Sequence, residues 1–357
     1  MVQDENKAVV RSFFERVWCQ KDLGYHHEIL APDFRLVALW QNTSLGRSGE
    51  ADRDVSLGVI RRWIHGFPDL RISIEEQVGE GDYVASRHRY WGTHTNDFMG
   101  YAATGVPVLI SGNTIMKVAG DKITCSWTCW DGASFLRQIG VFAVPDAHPL
   151  DDEALWAWRD DGQASQADPG QAKALTRRVY QELWNQGDLG VADQLFDPRF
   201  VGHTPASQPA QGPDGMRRVV QAWRSGLSDL EFAVDAQHAE GGRVASRLTV
   251  RGRHTGEFLG CPPTGAPVTT TGIAITRVIG RRIVADWTEI DLLGALRPRR
   301  PGPRSPGRPE RACRCATGGC HRRPGGCQGP APARTPSHPS LPAATRSPSS
   351  ARRCRPR

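Results

Sequence analysis

The hydrophobic positions of this chain follow two periods, one helical and one strand-like, and each period occurs twice. Apolar residues recur at steps of three and four in two segments: Val9, Val10, Phe13, Phe14, Val17 and Trp18, then Leu175, Val179, Leu183 and Trp184. This spacing predicts two helices with one apolar face each. Further along, polar and apolar residues alternate from Val244 to Arg251, which predicts a half-buried strand.

The chain contains an internal repeat. "VWCQKDLG" (17–24) aligns with "LWNQGDLG" (183–190) at an offset of 166, and "GTHTNDFMGYAATG" (92–105) aligns with "GRHTGEFLGCPPTG" (252–265) at an offset of 160. We call the two halves copy one and copy two. Because each half begins with helices and continues with strands, the pattern predicts two α+β domains, with helices packed on one face of a curved, mainly antiparallel sheet.

Composition divides the chain further. Copy one is expected at 1–144, a linker rich in Asp, Pro and Gly at 145–170, copy two at 171–297, and a tail at 298–357. The tail holds 14 arginines and one acid, Glu310, and is dense in Pro, Gly and Ser. This composition predicts disorder, in a tail that is either an extension or a segment read from another frame.

The net charge of +7 is misleading because the tail alone carries +13, so residues 1–297 carry −6. An acidic folded part argues against nucleic-acid binding. The amino terminus has no apolar signal-peptide core and no apolar run is long enough to span a bilayer, so we expect a cytoplasmic protein without membrane contact. No cysteine spacing matches a standard zinc site, so no metal is expected.

The parity of the last predicted strand suggests an acidic site. Ile283, Ala285, Trp287, Glu289 and Asp291 share one face, and in copy one Trp127 and Asp131 share the corresponding face. If that face lines an apolar cavity, it places a carboxylate at the cavity mouth, where burial raises its pKa toward neutrality.

The residues also permit a structural interpretation. A carboxylate at a strand end often caps a loop or pairs with an arginine, and a histidine before a turn is often a hydrogen-bonded structural residue. The "TGxPV" element is typical of a turn between strands.

Copy two, through "RHTGEFLGCPPTGAPVTTTGIAITRVIGRRIVADWTEIDLLG" and the upstream "DPRFVGHTP", resembles the SnoaL-like polyketide cyclases. The resemblance covers most of 172–297 and, less tightly, 5–140. It implies two tandem cone-shaped barrels of the nuclear-transport-factor-2-like fold, each with a deep apolar pocket.

The resemblance also implies an activity: the intramolecular aldol ring closure of an aromatic polyketide ester in secondary metabolism, without metal or organic cofactor. Asp291 would be the acid/base, and His254 and His203 would hydrogen-bond the enolate. By the same resemblance Tyr180 would line the pocket. Independently of the resemblance, we expect further pocket residues at Trp287, Glu289, Trp223 and Trp127. The expected ligand is a small apolar aromatic substrate.

Copy one departs from the family pattern. It keeps His94 and Asp131 as second-copy candidates, but Val37 stands where copy two has His203, and "CPPTG" becomes "YAATG". The resemblance suggests an intramolecular pseudo-dimer or a homo-oligomer. Two alternatives stay open: an accessory hydroxylase or isomerase, and a non-catalytic module that binds a small molecule or dimerises.

Overall fold

The structure is a computed structural model, and it describes residues 2–38, 50–141, 167–204 and 209–292. Most of the predicted linker and the whole predicted tail lie outside the described residues. The domain boundaries read from the sequence therefore stay predictions.

Both copies present their elements in the same order, helices first and strands afterwards. Copy one consists of α1 (Val2–Ser12), a π-helical segment (Phe13–Cys19), α2 (Leu23–Ile29), β1 (Leu30–Ala38), β2 (Glu50–Ala51), α3 (Arg53–Gly66), β3 (Arg71–Glu80), β4 (Tyr83–Thr93), β5 (Pro107–Ala119), β6 (Lys122–Trp130) and α4 (Gly132–Gln138). Copy two consists of α5 (Pro169–Arg178), a π-helical segment (Val179–Gln186), a 3-10 turn (Leu189–Val191), α6 (Ala192–Leu195), β7 (Phe196–His203), β8 (Ala210–Gln211), α7 (Gly212–Gly226), β9 (Leu227–Glu240), β10 (Arg243–His254), β11 (Pro267–Ile279) and β12 (Arg282–Ile290).

The helices begin where capping side chains and proline place them. The Asp168 carboxylate accepts a hydrogen bond from the Gln171 backbone N–H (2.9 Å), and Pro169 occupies the first turn of α5, where a missing N–H costs nothing. In copy one, Asp52 caps α3 in the same way, accepting from the N–H groups of Asp54 and Val55. The apolar face predicted for the first helix is buried in both copies, except that Val9 and Leu175 are half-buried.

Each copy has one six-stranded sheet, in the order β2-β1-β6-β5-β4-β3 and β8-β7-β12-β11-β10-β9. The pairs β1/β6 and β7/β12 are parallel, and the other neighbours are antiparallel. The helices pack on one face of each curved sheet, and their apolar side chains join those of the strands in a separate core for each copy. The predicted fold class, two tandem cone-shaped α+β barrels, is confirmed.

The described ranges also bear on the expectations about membrane helices, cysteines and metal sites. No helix there combines the length and the apolar character that a membrane crossing requires. The four cysteines in these ranges, Cys19, Cys125, Cys129 and Cys261, are free thiols. Within the same ranges, no group of three or more His, Cys, Asp or Glu side chains is arranged to hold a metal ion.

The face of each sheet that its helices leave uncovered packs against the other copy. A third core cluster draws residues from both sheets: Val78, Ala85, Ile115, Cys129, Ala245, Ile273 and Ile275. All seven are at most 1% exposed. This contact explains why the strands are apolar on both faces, as expected of a sheet with two buried sides.

A single buried amide links the two sheets at their centre. The Asn113 side chain, fully buried on β5, donates from Nδ2 to the backbone oxygens of Ile273 and Trp287, both at 2.9 Å. These two oxygens belong to β11 and β12 of copy two. Copy two has isoleucine, Ile273, at the position of Asn113, so the link runs in one direction only.

Around this centre, contacts occur in pairs related by the repeat. Lys7 pairs with Glu240, and its counterpart Lys173 pairs with Glu80. The same two carboxylates accept backbone N–H groups across the interface, from Gly79 (2.9 Å) and Ala239 (3.0 Å). The lysines and glutamates keep some exposure, so each pair contributes modestly, about 1 kcal/mol or less, while fixing how the sheets align.

We expect Asn113→Ala to lower the free energy of unfolding by about 2 kcal/mol or more, because two buried carbonyl oxygens lose their donor. Urea denaturation of the full chain measures this. The control is Asn96→Ala, since Asn96 donates one hydrogen bond to the His65 oxygen (2.8 Å) at an exposed site, and its loss should cost less than about 1 kcal/mol. Equal costs for the two variants would contradict a stabilising role for Asn113.

Candidate functional site

Copy two contains a cavity between its helices and the inner face of its sheet, with about 490 Å³ of empty space that includes its opening to solvent. Its lining comprises Thr176, Val179, Tyr180, Trp184, Phe196, Phe200, Thr204, Met216, Trp223, Phe232, Thr276, Ile283, Asp286, Thr288 and Ile290. Most of these side chains are apolar or aromatic. Three of the six polar side chains, Thr276, Asp286 and Thr288, come from the centre of the sheet, where β11 and β12 pair.

Asp286 is the one carboxylate among these lining residues. Its two carboxylate oxygens accept hydrogen bonds from the hydroxyls of Thr276 (2.7 Å) and Thr288 (2.5 Å), which flank it on β11 and β12. Burial raises the pKa of Asp286 from 3.8 to about 6, against the opposing effect of the two hydroxyl donors. Asp286 therefore exchanges its proton close to neutral pH inside a largely apolar cavity.

Tyr180 is the second titratable group on the lining. The π-helical segment places it 5% exposed, with its ring stacked on Phe232 at 6.0 Å and its hydroxyl hydrogen-bonded to Ser246. Burial raises the pKa of this phenol well above 10, and the nearby charge of Asp286 raises it further. Tyr180 is thus a neutral hydroxyl near a carboxylate.

The corresponding cavity of copy one has other side chains at the positions of the carboxylate, its threonine partner and the tyrosine. At the positions of Asp286, Thr276 and Tyr180 it has Ser126, Met116 and Phe14. It is lined by Phe13, Phe14, Trp18, Leu30, Phe34, Leu36, Ser56, Val59, Ile60, Trp63, Tyr90, Thr114, Met116, Ser126, Thr128 and Trp130. No carboxylate occurs among these described lining residues. The copies therefore share an architecture and differ in their capacity for proton transfer.

The comparison with known protein families gives one match in each copy of the repeat. The family model for the SnoaL-like polyketide cyclases matches residues 8–139 and 174–298, which is more than half of the chain. The chain belongs to the SnoaL-like polyketide cyclase family. Its two copies are two matches to that one family model.

Solved structures resemble single copies of this SnoaL-like chain. IdmH from Streptomyces antibioticus is 28% identical, with 38% of this chain and 98% of that chain covered and a TM-score of 0.34. TsrD from Streptomyces laurentii is 29% identical, with coverage of 36% and 92% and a TM-score of 0.33. A SnoaL-like polyketide cyclase from Agrobacterium tumefaciens is 17% identical, with coverage of 34% and 93% and a TM-score of 0.31. No curated protein matches the chain.

The histidines of the repeated phrase close a turn in both SnoaL-like copies. The His254 backbone donates to Ala266 O (2.9 Å) and accepts from Gly265 N (2.7 Å), and its Nδ1 is hydrogen-bonded to Thr264 Oγ1 (3.2 Å). His94 makes the same three contacts in copy one. Gly265 has φ = +68°, a conformation that favours glycine. Neither histidine is among the described lining residues of the two cavities.

The strand-end aspartates are also held by the backbone. The Asp131 carboxylate accepts the Ser134 N–H (2.8 Å) and caps α4, and burial raises its pKa to about 6. Asp291 is 6% exposed, its backbone N–H donates to Thr271 O (3.1 Å), and its carbonyl accepts the Thr270 hydroxyl (2.7 Å). For Asp131 the structure thus shows the capping contact that the sequence left open. The catalytic assignment of Asp291 stays a prediction.

His203 lies apart from the cavity lining described above. Its ring stacks on that of Trp287, with centroids 5.8 Å apart and planes 5° apart. Thr204, the next residue, lines the cavity instead. Of the pocket residues expected in copy two, Tyr180 and Trp223 are on the lining.

Trp127, Trp287 and Glu289 are absent from the lining of the two cavities described above, and their assignment as pocket residues stays a prediction. Trp287 lies under the Arg87 guanidinium of copy one (4.2 Å), and Trp127 lies under Arg247 of copy two (4.8 Å). Glu289 is buried, hydrogen-bonded to Ser111 of copy one, and burial together with the charge of Asp131 raises its pKa well above 4.5.

The physical reason is that the last strand is buried on both faces, so parity groups its residues correctly without telling which group faces the cavity. The other group, which contains Asp286, Thr288 and Ile290, lines the cavity. Alignment of the two copies could have drawn attention to Asp286, because copy one has a serine at that position.

We expect Asp286 to make stability fall as the pH rises. The folded state holds this proton more tightly than the unfolded chain, so stability is complete below about pH 4 and is lost as the pH rises through about 6, by about 3 kcal/mol in total. The free energy of unfolding of Asp286→Asn, minus that of the wild type, should therefore grow by this amount between pH 4 and pH 7.

The matched control is Asp235→Asn, since Asp235 also accepts a threonine hydroxyl, that of Thr249 (2.9 Å), but outside the cavity lining. A difference between wild type and Asp286→Asn that stays flat across this range would show that the folded-state pKa of Asp286 is not raised.

Proposed function

We propose that copy two is the working site of a cofactor-independent cyclase that closes a ring of an aromatic polyketide ester by an intramolecular aldol reaction. Family membership supports the substrate class. The observation that carries the proposal is the partly buried Asp286 carboxylate, with a pKa of about 6, on the wall of an aromatic cavity. A base with this pKa is partly ionised near neutrality and returns its proton readily.

In this proposal one side chain, that of Asp286, both removes and returns the proton. Asp286 removes a proton from the carbon next to a carbonyl, and the resulting enolate carbon forms a bond to a second carbonyl carbon of the same molecule. The second carbonyl oxygen becomes an alkoxide, which takes the proton back from Asp286. The chain ends in its initial protonation state, without net uptake or release.

Tyr180 would donate a hydrogen bond to the developing enolate oxygen. Its raised pKa keeps the phenol neutral, so that its O–H stays available as a donor, and the apolar surroundings strengthen the interaction. The edge-on and tilted rings of Trp184, Trp223 and Phe232 would exclude water and hold a flat substrate.

The family resemblance implies a different assignment of the acid/base and enolate-binding residues. In that assignment Asp291 is the acid/base, and His254 and His203 bind the enolate. Asp286 is preferred here because it lies on the described cavity wall and because copy one has no carboxylate at its position. The strand-end aspartate, in contrast, occurs in both copies.

We expect Asp286→Asn to lower kcat for ring closure by about 10²- to 10⁴-fold, because the amide cannot accept the proton. The assay offers tricyclic aromatic polyketide methyl esters to the full chain and follows products by liquid chromatography and mass spectrometry. Wild-type kcat/KM should rise with pH through about 6 as the carboxylate ionises. Tyr180→Phe should lose about tenfold or more.

Asp235→Asn serves as the control and should stay within about twofold of wild type. Loss of turnover in Asp291→Asn with normal turnover in Asp286→Asn would transfer the acid/base role to Asp291. Tight binding without any turnover would replace the cyclase proposal with the non-catalytic module.

A further inference from the structure

A cleft between the two copies is lined mainly by charged side chains, unlike the two cavities inside the copies. It has about 920 Å³ of empty space that includes its opening to solvent. Its lining comprises Lys7, Glu75, Glu76, Gln77 and Arg87 of copy one and Glu240, Gly241, Arg243, Arg277 and Trp287 of copy two. Four of these side chains are cationic and three are carboxylates, so the lining carries one positive charge in excess.

Arg87, on β4, is the unusual member of this lining. It is 6% exposed, and its guanidinium carbon lies 4.2 Å from the centre of the Trp287 ring. Its Nε and Nη1 atoms are inaccessible to solvent and have no hydrogen-bond partner among the described residues. Arginine is rarely this buried unless it is paired, because its donors lose water without receiving an acceptor in exchange.

The carboxylates whose charges act on Arg87 are Glu75, Glu76 and Glu289, and each is engaged elsewhere. Glu76 accepts a hydrogen bond from Arg243 Nε (2.5 Å), and Glu75 accepts one from Arg89 Nη2 (3.0 Å). Burial and the charge of Asp131 raise the pKa of Glu289 well above 4.5, which favours its neutral form. Arg87 therefore lies among carboxylates without a hydrogen bond to any of them.

Copy two shows what a counter-ion at this position looks like. Arg247, the counterpart of Arg87 in the repeat, has its Nε atom 3.8 Å from the carboxylate of Asp235. The counterpart of Asp235 is Glu75, which is bound to Arg89 instead. The same arginine thus has a carboxylate partner in copy two and lacks one in copy one.

A carboxylate supplied by a ligand satisfies both requirements of the cleft. Its oxygens accept hydrogen bonds from guanidinium N–H groups, a pairing that is stronger than one between neutral groups. Its single negative charge balances the single excess positive charge of the lining. A phosphate monoester would bring a second negative charge close to Glu75, Glu76 and Glu240, so the lining favours a monoanion.

From these observations we infer that the cleft between the copies is a binding site for a small monocarboxylic acid, whose carboxylate binds to Arg87. The acid is held without being transformed. Because the lining comes from both copies, the bound acid stabilises their contact. This site goes beyond the reaction proposed for copy two and does not depend on it.

The test is calorimetric titration of the full chain with propionate, at slightly alkaline pH and constant ionic strength. Propionamide serves as the uncharged analogue of the same shape, and methyl phosphate as the dianion. Arg87→Gln removes the guanidinium, and Arg247→Gln is the matched control, since Arg247 stacks on Trp127 (4.8 Å) as Arg87 does on Trp287. Glu75→Gln removes a negative charge from the lining.

We expect a propionate Kd of about 1 mM or lower, an affinity within the range of a five-atom ligand. The Kd should rise at least tenfold in Arg87→Gln, stay within about twofold of wild type in Arg247→Gln and fall about threefold in Glu75→Gln. A gain in affinity cannot result from unfolding, so Glu75→Gln keeps the test decisive if Arg87→Gln does not fold.

Thermal melts give a second measurement. Propionate at about ten times its Kd should raise the Tm of the wild type by about 2 °C, because the ligand binds the folded chain alone. Propionamide at the same concentration should leave the Tm unchanged.

Equal affinity for propionamide would overturn the inference, as would an unchanged Kd in a folded Arg87→Gln variant. Tighter binding of methyl phosphate than of propionate would contradict a site for a monoanion. Equal losses in Arg87→Gln and Arg247→Gln would show a general attraction of anions to the chain instead of a site at Arg87.

Discussion

Each sheet packs one face on its own helices and the other face on the second copy, and the position of every functional side chain depends on this double burial. The shared core around Ile115, Ala245 and Ile275 contains no exposed residue, and Asn113 ties β11 and β12 of copy two to β5 of copy one. Copy one thereby supports the two strands that carry Asp286, Thr276 and Thr288. A single copy would expose an apolar sheet face to water, which soluble proteins avoid over large areas.

The two copies differ in the side chains on their cavity walls: copy two has a carboxylate there, and the described wall of copy one has none. A buried carboxylate is destabilising unless it is hydrogen-bonded or protonated, and copy two combines both solutions at Asp286. Copy one avoids the cost by placing Ser126 at that position. The same exchange leaves the described wall of the copy-one cavity without a carboxylate that could transfer a proton.

The residues that the copies share are those that build the fold. The histidine of the repeated phrase, the glycine with positive φ and the strand-end aspartate close turns or cap a helix in copy one, and the first two do so again in copy two. Residues that differ between the copies occur at the interface, as Asn113 and Ile273 do, and on the cavity walls, as Ser126 and Asp286 do. The carboxylate on the copy-two wall is one of these differences, so identity between the copies does not identify it.

The sequence by itself determined the duplication, the α+β class, the family and the amphipathic helices, because these depend on local periodicity and on long stretches of matching residues. It also grouped the residues of the last strand correctly, Asp286 with Thr288 and Trp287 with Glu289. Only the tertiary structure decided which group faces the cavity, since a strand buried on both faces gives the same apolar pattern whichever way it is turned. The elevated pKa of Asp286 and the buried guanidinium of Arg87 likewise depend on neighbours distant in the chain, which no local pattern records.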